Sequence, residues 1–97
     1  MAEQAFEEKI YAQLQNAKAE LEKLEAIAKG KIAQAEIDAM NYLKTKRQEI
    51  DKRRQEMKTA AAAKVDEIKA EIESEMPKFK ESLDRLHAKV KSHLAAK

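Results

Sequence analysis

Cysteine is absent from this chain, which removes disulfides and thiolate metal sites together. Glycine occurs once, too rarely for a phosphate-cradling loop. With one proline as well, the residues that usually make tight turns are scarce. Tryptophan is missing, and aromatics are 4% of the sequence, so a core of large rings is excluded. No apolar run exceeds Ala60 to Ala63, far short of a membrane span. The opening Met-Ala-Glu-Gln-Ala-Phe-Glu-Glu is acidic and does not read as a signal peptide. An excess of one charge is lacking too: the net charge is +2, whereas nucleic-acid proteins usually carry a strongly basic face.

What the chain has is charge, 39% of its residues, and strong helix formers: Ala, Glu, Lys, Gln and Leu. Such a composition suits disorder or a long helix, and periodicity decides between them. Every eleventh position is apolar from end to end: Phe6, Ala17, Ala28, Ala39, Ile50, Ala61, Ile72, Leu83 and Leu94. Four residues further on stand Ile10, Leu21, Ile32, Leu43, Arg54, Val65, Met76 and His87, with Arg54 and His87 as faults. Seven further on stand Gln13, Leu24, Ala35, Lys46, Met57, Ile68, Phe79 and Val90. Eleven residues in three turns is close to the natural α-helical period, so these columns form one stripe on one helix face.

The sequence therefore predicts an all-α fold: a single unit, 1–97, of long amphipathic helices in an elongated coiled coil. A continuous helix of this length would span on the order of 140 Å at ~1.5 Å per residue. Gly30 is a weak point, and Pro77, which removes a backbone donor, predicts a kink or short break. Two alternatives keep the same stripe. One is an antiparallel hairpin turning near Lys46 to Arg54, and the other is a three-helix bundle broken at Gly30 and near residue 59. The stripe keeps its phase across Gly30 and Pro77, which favours the continuous form. Intrahelical pairs such as Glu25–Lys29 and Glu81–Arg85 add about 0.2–0.5 kcal/mol each and do not decide the fold.

Water does not tolerate so long an apolar stripe uncovered. The expected interface comprises Phe6, Ile10, Leu14, Leu21, Leu24, Ile32, Leu43, Ile50, Val65, Ile68, Ile72, Phe79, Leu83, Leu86 and Val90. It predicts a homo-oligomer with antiparallel helices, or pairing with another helical protein. Acids gather near the start and bases near the end, which suits both helix dipoles and antiparallel neighbours. The same stripe, flanked by lysines, could instead lie on a lipid or membrane surface. A third reading uses Lys44, Lys46, Arg47, Lys52, Arg53 and Arg54 to bind anions or nucleic acid. No aromatic interleaves with them, and Glu49 and Asp51 dilute their field, so a solvated helix face is preferred.

Catalytic chemistry finds little support. His87 and His93 stand six apart, on different faces. Asp84 precedes His87 by three, but no Glu-x-x-His unit of a di-metal bundle occurs. No hydroxyl residue stands in a nucleophile motif, so no catalytic, cofactor or metal residue is expected and the chain reads as a non-enzyme.

From about residue 14 to residue 86 the chain resembles small bacterial coiled-coil proteins of unknown biochemical role, some of them stress-induced. The likeness is carried by Leu21-Glu-Lys-Leu-Glu-Ala-Ile-Ala28, Ala33-Gln-Ala-Glu-Ile37, Tyr42 and the Arg47-to-Met57 region. Members often have tryptophans where this chain has Val65 and Met76. The family supplies no active site to transfer; the absence of cysteine suits a reducing cytosol, and a cytoplasmic protein is expected.

Overall fold

The computed structural model describes residues 2–28 and 33–95. Three helices account for nearly all of them: α1, Ala2–Ala28; α2, Gln34–Met57; and α3, Ala62–Ala95. The chain is thus all-α and takes the three-helix alternative. It is still elongated, with principal extents of 52 × 20 × 17 Å.

Helix direction follows from the side chains that meet. Glu25 of α1 reaches Lys44 of α2 at 2.6 Å, and Glu7 reaches Arg54 at 2.7 Å, so α1 and α2 are antiparallel. Lys46 meets Glu75 and Arg53 meets Glu71, so α2 and α3 are antiparallel as well. Lys69 lies over the Phe6 ring and His87 contacts Glu20, so α1 and α3 run parallel. The bundle is up-down-up, with α2 packed against both neighbours.

The helix ends use backbone more than side chains. Ala33 precedes α2 in an extended conformation with no side-chain cap, and its carbonyl accepts from the N–H of Glu36 and of Ile37. Glu36 in this first turn suits the positive end of the helix. At the other end Lys58 keeps a right-handed helical backbone, φ −65° and ψ −29°. The N–H groups of Lys58 and Thr59 donate to the carbonyls of Gln55 and Glu56, tightening the last turn. The N–H of Val65 donating to Ala61 starts α3.

The turn over 58–61 contains no glycine, proline or asparagine, so local chemistry does not demand it. Burial does, since reversal there lets Ile50 and Met57 face Ile68 and Ile72 in one core. Two sequence expectations change. The hairpin turn near Lys46 to Arg54 does not form, because α2 is helical throughout that stretch. α3 also runs unbroken through Pro77, so proline does not end the helix there. Tertiary packing of the surrounding seam offsets the lost backbone bond. Gly30 and Ile32 lie outside the described residues.

Candidate functional site

The most extensive feature of the bundle is the apolar seam itself. Of the expected interface residues, Ile10, Leu14, Leu21, Leu24, Leu43, Ile50, Ile68, Ile72, Phe79, Leu83, Leu86 and Val90 are buried. Phe6 and Val65 are partly buried and pack against them. Met40, Met57 and Met76 join the same cluster and fill it, as flexible thioethers do. Ala17 and Ala28 are buried beside them and let the helices approach closely. Each fully buried Leu or Ile contributes about 1.5–3 kcal/mol, against about 0–1 kcal/mol for an exposed ion pair. The seam therefore carries the stability of the bundle, and it is covered by the chain itself.

The faults in the seam have a pattern. Arg54 is 6% exposed; its Nη1 donates to Glu7 of α1 at 2.7 Å and its Nε to Asp51 at 2.9 Å. The Tyr11 ring lies 4.8 Å from the guanidinium, so the cation is enclosed by two carboxylates and an aromatic face. His87 Nδ1 stands 2.8 Å from Glu20 of α1. A carboxylate can only accept, so that nitrogen carries the proton. Lys46, the charged fault in the third column, donates to Glu75 of α3 at 3.3 Å. Each pair of helices is thus keyed by one fault: α1–α2 by Arg54, α1–α3 by His87, and α2–α3 by Lys46. Of these three faults Arg54 is buried and the other two are partly exposed; a buried ion pair adds little net stability, but it penalises any register that strands its charge.

The basic stretch is mostly engaged within the bundle. Lys44 pairs with Glu25, Lys46 with Glu75 and Glu49, Arg53 with Glu71 and Glu56, and Arg54 with Glu7 and Asp51. Arg47 and Lys52 have no ion pair among the described residues; Arg47 borders a shallow cleft between α1 and α2 with Lys44. The hydrogen bond and charge of Glu75 hold the Lys46 ammonium above the ordinary lysine range, against a smaller opposing effect of burial.

Sequence reasoning missed Glu36. It is 7% exposed, and one carboxylate oxygen meets His93 Nδ1 of α3 at 2.9 Å. Its Oε2 is buried without a hydrogen-bond partner. A cleft of 630 Å³, walled by Ala35 and Ala39 of α2 and by Arg85, Lys89 and His93 of α3, opens beside it. The available signal was the antiparallel pairing of a first-turn acid with a last-turn histidine, which becomes visible only when the helix register is known.

No group of three or more metal-ligating side chains comes together among the described residues. No described helix is long and apolar enough to cross a membrane. These features define a small ion-keyed three-helix bundle. Compared with family models, with curated proteins and with solved structures, the chain has no match in any of the three.

Proposed function

We propose that this is a non-enzymatic structural or protein-interaction module that works by burying its eleven-residue seam between antiparallel helices, including helices of another copy. One observation carries the reading. The two polar faults of the second column, Arg54 and His87, and the lysine of the third each find an acid on a neighbouring helix. A surface that reads helix partners through a seam with matched charges is an interaction device, because a wrong partner or register leaves a buried charge alone.

A lipid surface remains the second reading, favoured by the unbroken phase of the three columns, which makes a straightened chain one amphipathic helix. Arg54 stands on the apolar column, which would lie toward the acyl chains, and it already pairs with Glu7 and Asp51, so that reading stands behind the first. The anion-binding reading has less support still, since four of its six residues already face acids. On the sequence resemblance alone we extend the proposal to a bacterial role linked to stress, and on the absence of cysteine to the cytoplasm.

Circular dichroism with light scattering tests the proposal, with and without anionic vesicles. High helicity and a defined mass in the absence of lipid is the expected result. Low helicity that rises only with vesicles would replace it with the lipid reading.

A further inference from the structure

We propose that the α2–α3 turn is a hinge through which two copies of the chain exchange α3, so that the partner on the seam is a second copy. This rests on the self-association reading above and states its mechanism.

The first ground is phase. All three columns run through the turn without a slip: Ile50 to Ala61 to Ile72, Arg54 to Val65 to Met76, and Met57 to Ile68 to Phe79. A chain that only ever reverses at 58–61 has no physical need to keep that phase. The second ground is the turn itself. It is Lys-Thr-Ala-Ala, Lys58 already has helical dihedrals, and two alanines follow. Alanine has the highest helix propensity, so straightening adds helical hydrogen bonds over residues suited to them. α2 and α3 would then form one helix from Gln34 to Ala95, on the order of 90 Å long at ~1.5 Å per residue.

The third ground is symmetry. The pairs Lys46–Glu75 and Arg53–Glu71 lie about equally far to either side of Ala60 to Ala63. Two straightened chains laid antiparallel therefore repeat these two α2–α3 contacts in trans, around a two-fold axis through the alanine run. Small side chains at that crossing let the backbones meet. Ala61, a stripe member that is exposed in the closed bundle, gains a partner there. Such isologous exchange forms no contact absent from the single chain beyond the crossing. The charged faults choose a second copy over lipid, because Lys46 regains Glu75 only from another chain.

The test uses the full chain. Light scattering after gel filtration should show, on concentration, a species of twice the 11.1 kDa monomer mass. Thr59→Ala should raise its share. Ala62→Pro stands at the first position of α3, where proline is tolerated, but in a straight helix it would remove a donor and clash with the carbonyl of Lys58. It should abolish the dimer and leave the helical circular dichroism signal of the monomer unchanged. Because cysteine is absent, a Lys46→Cys chain mixed with a Glu75→Cys chain reports directly with a short bis-maleimide linker. The mixed 46–75 product should dominate over like-with-like products, and Ala62→Pro in both chains should remove it.

A dimer that survives Ala62→Pro would overturn the exchange while leaving self-association through an outer face. Monomers at every concentration, in Thr59→Ala as well, would overturn both. Vesicle binding without any dimer would overturn the exchange in favour of the lipid surface.

Discussion

Arg54 and Glu7, forty-seven positions apart in sequence, meet at 2.7 Å between α2 and α1 with the arginine almost wholly buried. Glu7 also receives Lys58 at 3.2 Å, so one α1 carboxylate fastens the end of α2 and the turn beyond it. The seam supplies the free energy of folding, and this contact fixes how far along the seam α1 may slide.

Removing one half of that contact should cost more than removing both. Glu7→Ala leaves the Arg54 guanidinium with Asp51 alone, and a loss of about 1–3 kcal/mol is expected. Glu7→Leu combined with Arg54→Met should be close to neutral or stabilising, since apolar replacements avoid the desolvation of both charges. Urea unfolding followed by circular dichroism measures the difference, and equal losses in the two variants would refute the reading.

Pro77 is exposed within the unbroken α3, where it withholds one backbone donor. Pro77→Ala should therefore stabilise the bundle, by up to about 3 kcal/mol, with helical content unchanged or slightly higher. A drop in thermal midpoint would show that proline relieves strain at this position.

Lys46 gives the bundle an alkaline limit. Its folded pKa is raised above the ordinary lysine range, first by the hydrogen bond it donates to Glu75 and then by that carboxylate's charge. A raised value means that the contribution is fully present below the ordinary lysine range and is lost as pH rises through the folded value. Stability curves of the protein and of Lys46→Met should thus lie a constant distance apart near neutrality and converge at strongly alkaline pH. Parallel curves over the whole range would show that the Lys46–Glu75 pair is not coupled to folding.

Much of the core was legible because it depends only on period. Leu14, Leu21, Leu24, Ile50 and Val90 fall in or beside the columns, and they are among the most deeply buried side chains. The reversal at 58–61 was not legible as the favoured path, because a period reports which face is apolar and not what covers it. Four consecutive alanines speak for helix, and only the mutual burial of Met57 and Ile68 across the turn speaks against it. Arg54, His87 and Lys46 were visible as faults. Their partners Glu7, Glu20 and Glu75 stood in plain sight, but pairing them requires knowing that α1 runs against α2 and along α3. Glu36 escaped for the same reason, since its histidine lies fifty-seven positions away.

An odd number of helices has a mechanical outcome. Because α1 and α3 point the same way, Ala2 and Ala95 sit at opposite tips of a body 52 Å long. A cargo joined at each tip is held apart by the whole rod, as by a strut. Tension between the tips loads the helices along their axes, so the packed ridges must shear past one another together and cannot peel away one at a time.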